Sequence, residues 1–372
     1  MKEGYKALGE FIRQIDIRNT EGKEDNLLGV SVQKQFIPSI ANTVGTDFTK
    51  YKVVKKGQFT YIPDTSRRGD KIAIALLQDY EEGLVSNVYT VFEVIDEEKL
   101  LPEYLMLWFS RPEFDRYARF KSHGSVREIM DWDEMCKVEL PVPSIEKQRS
   151  IVKAYKAITD RIELKRRIND NLEAAMRALF EHFVVSNEAY DFDEAIDDKI
   201  DFINGLAMQN YRPEKDETPI PVIKIRELSQ GYCDENSEFC SNHIDKSHII
   251  QNGDLVFSWS GSLQASFWTS QTAGLNQHLF KVQSDEYPLW FVYEWVTFHL
   301  LNFQRIAENK GTTFGHIKRE DLHNAKIKSV GIDEINKLNN LFQPLLNTII
   351  ANSTELHSLM NYQRVLLARL SR

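Results

Sequence analysis

A self-similarity at a spacing of 187 residues runs through the chain and decides what it can fold into. Gly124-Ser125-Val126-Arg127-Glu128-Ile129 lies opposite Gly311-Thr312-Thr313-Phe314-Gly315-His316-Ile317, and Ile145-Glu146-Lys147 opposite Ile332-Asp333-Glu334. The spacing is close to half of the 372 residues, so the chain reads as one unit used twice. Earlier in each half the match loosens. Gly57-Gln58-Phe59-Thr60-Tyr61 faces Gly253-Asp254-Leu255-Val256-Phe257 at 196, and Gly83-Leu84 faces Gly274-Leu275 at 191, as insertions between shared elements would produce.

The repeat is most regular where it is helical. Steps of four and three from Ile151 give Ile151, Tyr155, Ile158, Ile162, Lys165, Asn169, Leu172, Met176, Leu179 and Phe183. Adding 187 gives Leu338, Phe342, Leu345, Ile349, Asn352, Leu356, Leu359, Gln363, Leu366 and Leu370, a second seam in the same register. Two long helices that pair as a coiled coil are therefore expected, each about 50 to 60 Å long at 1.5 Å per residue. Ser144, behind Pro141-Val142-Pro143, suits the N-cap of the first, and Pro344 is expected to kink the second or mark its start. Polar entries at Lys165, Asn169, Asn352 and Gln363 would fix register.

Before each helix the pattern is of short strands and small helices. Residues 30–32, 59–62 and 89–94 read as strands, and 102–109 and 111–119 as helices. In the second half 221–225, 254–259 and 278–282 read as strands and 288–303 as a helix. The fold class is α+β, with two similar globular domains over 1–144 and 186–331 and two long helices over 145–185 and 332–372.

Composition is that of ordinary globular protein, 42% hydrophobic and 27% charged, with no apolar run of the ~18 residues that span a bilayer and no charged-then-apolar leader. Three cysteines are too few and too odd for a disulfide framework, so a cytoplasmic protein is expected. The net charge of −9 argues at first against a polyanion partner. The acid is local, however: residues 186–331 carry 22 acidic against 13 basic side chains, whereas 145–185 carry six against nine. Glu188, Asp191, Asp193, Glu194, Asp197, Asp198 and Asp201 read as a solvated linker, and DNA affinity would need a concentrated patch or partner chains.

No phosphate-binding loop, dinucleotide turn or nucleophile elbow is present, Ser258-Trp259-Ser260-Gly261-Ser262 having the wrong glycine spacing. Cys233, Cys240, His243 and His248 lack the close cysteine pair of a zinc site and read as partly buried thiols and loop histidines. Asp64 with Glu97, Glu98 and Lys99 resembles a nuclease set only loosely, without a repeat in the second half. What does recur is small, polar and basic. Arg67, Arg68, Ser86, Asn87, Lys121, Gly124, Ser125 and Arg127 stand in the first half. Ser258, Gly261, Ser262, Asn276, Gln277, His278, Lys310, Gly311, Thr312 and Thr313, with His316, stand in the second. Lysine beside glycine and hydroxyl residues suits phosphate, while Asn and Gln pair adenine and Arg pairs guanine.

This pattern resembles the DNA-specificity subunit of type I restriction-modification enzymes over nearly the whole chain. The motifs that carry it are Asn252-Gly253-Asp254-Leu255-Val256-Phe257-Ser258, Gly274-Leu275-Asn276-Gln277-His278-Leu279, Lys310-Gly311-Thr312-Thr313, and Leu140-Pro141-Val142-Pro143-Ser144-Ile145-Glu146-Lys147-Gln148-Arg149. The resemblance implies two target-recognition domains alternating with two antiparallel helices, each domain reading half of a split sequence in double-stranded DNA. It implies no catalysis and no cofactor in this chain. Two methyltransferase subunits binding S-adenosylmethionine would dock on it and methylate adenine, with ATP- and Mg-dependent restriction/translocase subunits joining them. A paired-helix scaffold that binds protein, and a self-contained nuclease-methyltransferase component, are the competing readings.

Overall fold

The computed structural model describes residues 4–40, 43, 45–65, 69, 71–122, 128–309 and 315–370. They form two compact units, one of residues 1–160 with 362–372 and the other of residues 161–361, so each long helix contributes to both.

In the first unit the central sheet holds β1 (Ile12–Ile15), β2 (Phe59–Tyr61), β3 (Ile74–Leu76) and β4 (Thr90–Val94) in the order β1-β4-β2-β3, all antiparallel. In the second, β5 (Asp201–Asn204), β6 (Leu255–Ser258), β7 (Gln264–Phe267) and β8 (Leu279–Gln283) take the equivalent order β5-β8-β6-β7. Behind the first sheet pack α1 (Pro102–Phe109), α2 (Pro112–Lys121) and α3 (Trp132–Cys136), ahead of the long α4 (Ile145–Phe180). Adding 187 to the first residues of α1, α3 and α4 lands on those of α5 (Leu289–Asn309), α6 (Arg319–His323) and α7 (Ile332–Arg369). One difference has a visible cause. Pro112 opens α2 and ends α1 because it lacks an N–H and fixes its own φ. Its counterpart is His299, which keeps the donor, and α5 runs unbroken through it.

Both helical segments of the first half and the long helix of the second lie where the sequence pattern puts them. Two strand ends differ from expectation for visible reasons: pairing covers Leu28–Val30 and stops there, before a turn whose Lys34 has φ +65°, and Ile225 starts a helix instead of ending a strand. The acidic stretch is a linker only in part, because Ala195, Ile196 and Ile200 between the acids and Phe202 just after them are buried and carry residues 194–204 into the second fold.

The seam is populated as the period requires. Ile151, Ile158, Leu172, Leu179, Leu345, Leu356, Leu359 and Leu366 are half-buried, and Ile162, Met176 and Ile349 are buried. Within the first unit Ile151 and Tyr155 pack with Leu367 and Leu370, and Gln363 donates to Thr159 at 2.9 Å. Within the second, Lys165 donates to Asn352 at 2.6 Å, Asn352 to Asn169 at 2.9 Å, and Asn169 to the Ile349 carbonyl at 3.2 Å. Rising numbers meet falling ones, so the helices are antiparallel. Phe183 departs from the seam: a π-helical turn over Glu181–Val185, closed by Ser186 N–H on the Glu181 carbonyl, hands its place to Val184, which is fully buried. Pro344 does not start the second helix; it lies inside Ile332–Arg369 on the exposed face.

The buried asparagine pair gives a stability prediction. Asn169→Leu strands the Asn352 amide and should cost about 1–3 kcal/mol, whereas Asn169→Leu with Asn352→Leu together should restore most of it. Urea midpoints of the two variants test this, and equal losses for single and double would overturn it.

Candidate nucleic-acid interface

At one end of each central sheet three segments converge, and a shared set of hydrogen bonds holds them in both units. In the first, Thr65 N–H donates to the Glu128 carbonyl at 3.1 Å and Met130 N–H to Pro63 at 2.9 Å. In the second, Gly261 N–H donates to Gly315 at 2.8 Å and Ile317 N–H to Trp259 at 3.0 Å. Asp64 bridges Ile129 as Ser260 bridges His316. Residues 63–65 are thus the counterpart of 259–261, at the spacing of 196 that Gly57 and Gly253 show. This removes the apparent isolation of Asp64: it occupies a structural rung, while Glu98 pairs with Arg149 at 3.1 Å and Lys99 with Asp96 at 3.0 Å.

The third segment is a turn entering the second strand of the sheet. Tyr89 N–H donates to the Ser86 carbonyl at 3.1 Å, and Leu279 N–H to that of Asn276 at 2.9 Å. The first side chain of each turn also caps it, Ser86 Oγ accepting from Val88 N–H at 3.5 Å and Asn276 Oδ1 from His278 N–H at 3.3 Å. Residues 86–89 and 276–279 are therefore the same turn, 190 apart, and it stands beside the rung because Tyr61 pairs with Thr90 and Ser258 with Leu279.

Solvent access divides the residues expected to touch DNA. Gly261, Ser262, Gln277, His278 and Asn87 are exposed, and Ser86 and Lys121 half-exposed. Ser258 is fully buried, its hydroxyl donating to the Ser260 carbonyl at 2.9 Å, and Asn276 is 7% exposed with its side chain committed to the turn. Both side chains hold their own backbone in place here, as polar atoms at a strand end and a turn cap do. Lys121 ends α2 with its ammonium 6.0 Å from the Tyr117 ring centre. Arg67, Arg68, Gly124, Ser125, Arg127, Lys310, Gly311, Thr312 and Thr313 lie outside the described residues.

Two residues that motif reading left out sit at the centre of the second site. Trp259 lies 5.9 Å from the His278 ring and 6.4 Å from that of His316, and Ser260 Oγ meets His278 Nδ1 at 3.1 Å. The signal was available, since continuing the 196 spacing past Gly253 equates them with Pro63 and Asp64. Gly205 completes the floor. A Cβ there would lie 2.2 Å from the Asn276 carbonyl oxygen and 2.4 Å from that of Leu275, both backbone atoms. Gly205→Ala should therefore displace the turn at a cost of roughly 1–3 kcal/mol, read as a lower melting midpoint. An unchanged midpoint would show that the backbone yields freely.

The cysteines play no part here. Cys240 is buried among Met208, Val222 and Ile244, and burial pushes its thiol up to about 11 and that of Cys233 up to about 12. Both stay protonated at neutral pH, which suits the reading as partly buried thiols, Cys233 being half-buried and Cys240 buried. The one His/Asp grouping among the described residues with metal-ligand spacing, Asp197, Asp198 and His323, is an ion pair plus a helix cap away from this end of the sheet's loops.

Paired long helices and a duplicated α+β module, with a polar loop cluster at the matched end of each module, define the class of fold. The model of the type I restriction modification DNA specificity domain matches residues 11–174. The type I restriction enzyme MjaIX specificity subunit of Methanocaldococcus jannaschii is 24% identical over 305 residues, 74% of this chain and 70% of that protein. The HindI specificity subunit of Haemophilus influenzae is 28% identical over 50% of this chain and 40% of that one. The crystal structure of a type I restriction-modification S subunit from M. genitalium, 12% identical, shares the fold with a TM-score of 0.58 over 99% of this chain and 96% of that one. The chain is thus similar in sequence to type I restriction-modification specificity subunits, and residues 11–174 match the DNA specificity domain of that family. Among the described residues no helix is long and apolar enough to cross a membrane.

Proposed function

We propose that this chain reads a bipartite target in double-stranded DNA, one half-site per module, as the specificity subunit of a type I restriction-modification complex in the cytoplasm. The observation that carries the reading is the matched loop cluster: the same hydrogen-bonded frame in both modules displays different exposed side chains, Asn87 and Val88 against Gln277 and His278. A shared frame with divergent tips is what two related sites reading different bases require.

The chain contributes recognition and its partners the chemistry. Two methyltransferase subunits carrying S-adenosylmethionine would dock on it and methylate adenine, and restriction/translocase subunits would bring the ATP- and Mg-dependent steps. Partner chains also resolve the charge problem. A net −9 leaves little phosphate attraction in this subunit, so the grip on the backbone would come largely from them.

Mobility shift on a random duplex pool, with and without the cognate methyltransferase subunits, tests this when the bound DNA is sequenced. Two fixed half-sites separated by a constant gap are expected. Binding without sequence preference, in the presence of the partners, would overturn the reading.

A further inference from the structure

Within the two matched turns, each position has a distinct fate. The first side chain, Ser86 or Asn276, is spent on capping the turn. The third differs in kind, Val88 against His278, and the fourth, Tyr89 or Leu279, leads into the strand. The second is the position at which both modules display the same chemical group in solvent, a carboxamide: Asn87 and Gln277. Neither is drawn into the fold. Among the described residues Asn87 Oδ1 meets only the neighbouring Ser86 hydroxyl at 3.5 Å, and Gln277 Nε2 only the His278 ring at 3.5 Å.

A neutral group here is informative because the surrounding module is acidic. Residues 186–331 hold 22 acidic against 13 basic side chains, which disfavours reading this turn as a phosphate anchor. A carboxamide presents one donor and one acceptor side by side. In the major groove adenine offers the complementary pair, its N6 amino group and N7 acceptor, and is the base that Asn and Gln bind bidentately. In the second module the turn is further braced, with Gln277 N–H donating to the Leu206 carbonyl at 2.8 Å and Asn276 N–H to Ile223 at 3.1 Å. A side chain on a fixed turn loses less freedom on binding than one on a loose loop.

We propose that Asn87 and Gln277 are the paired adenine-reading residues of the protein, each specifying one adenine in the half-site of its own module. This rests on the proposed function, and deepens it from a domain to a residue and a base.

The test uses the full chain with its cognate methyltransferase subunits and sequences DNA selected from a random duplex pool. For Gln277→Ala, one adenine position in one half-site should become degenerate, with discrimination falling roughly tenfold to a hundredfold, while the other half-site stays fixed. Asn87→Ala should do the converse. Gln277→Asn and Asn87→Gln keep the carboxamide at altered reach and should retain adenine as the preferred base with weaker discrimination. The untouched half-site and the melting midpoint report folding in every variant. Unchanged selection, a change at a base other than adenine, or even loss across a whole half-site in a folded variant would each overturn the assignment. If the unaltered protein selects no bipartite sequence, the proposed function falls and this falls with it; if it does and the variants match it, only this assignment falls.

Discussion

Trp290→Ala is expected to lower the stability of the second unit by about 3–5 kcal/mol, the range for removing a fully buried large aromatic. Trp290 is fully buried, stacked on Phe342 of α7 with ring centres 4.2 Å apart and planes 15° from parallel. Its indole N–H donates to Asn339 at 2.9 Å, so truncation removes packing, a stacked pair and the partner of a carboxamide together. The contact ties α5 to the long helix, and the second core runs continuously from the sheet through Trp295 and Phe291 to Leu338 and Phe342. The 187-residue repeat makes the effect asymmetric. The counterparts of Trp290 and Phe342 are Glu103, exposed, and Tyr155, half-buried, so Glu103→Ala should change stability by less than about 0.5 kcal/mol, as surface substitutions do. Denaturant titration of both variants decides the matter. Similar losses for the two would show that the modules dock on their helices by the same contacts, against the structure.

The duplication was legible because its physical basis is periodic. A seam of alternating fours and threes survives divergence, since each apolar position is held by burial, and the polar positions Lys165, Asn169, Asn352 and Gln363 bond across the helix pair where the period puts them. Of the two roles expected of Pro344, marking the start of the second helix is not the one it takes, since it lies inside Ile332–Arg369. An exposed proline inside a helix otherwise held by Phe342 and Leu346 costs one hydrogen bond that the buried face outweighs. The loop cluster was half legible. Residue type marked Ser258 and Asn276 as candidate contacts, yet polarity does not distinguish a side chain that faces DNA from one that caps its own backbone. That distinction depends on strand register and on how each turn folds its own backbone within reach of the side chain, which residue type alone does not encode. Trp259 and Ser260 were passed over for the converse reason: in sequence they continue a buried strand, and only the rung to residues 315–317 brings them to its end.

Replacing Glu294 by Gln should remove a pH dependence from the second unit. Glu294 is 2% exposed on α5, and burial pushes its carboxyl up to about 7, with Arg177 opposing that rise and Glu173 adding to it. An acid held above its ordinary value near 4.5 is bound to its proton more tightly in the folded chain than in the unfolded one. Its contribution is therefore complete below pH 4.5, where both states are protonated, and is lost progressively as pH rises towards 7, where the folded chain must ionise a carboxyl in an apolar setting. At 1.36 kcal/mol per unit, that difference is worth on the order of 3 kcal/mol by pH 8. Glu294→Gln has nearly the same shape and no proton to lose. The variant should match the unaltered protein at pH 4.5 and exceed it by a few kcal/mol at pH 8, with the gap opening between those values. Denaturant midpoints across that range measure it directly, and a constant gap would mean that the carboxyl stays ionised throughout, held by Arg177 more strongly than burial opposes it. The functional consequence follows from position. Glu294 lies in the core that joins the second sheet to α5, so the module that presents Gln277 should loosen in alkaline solution while the first, whose corresponding residue is Leu107, does not.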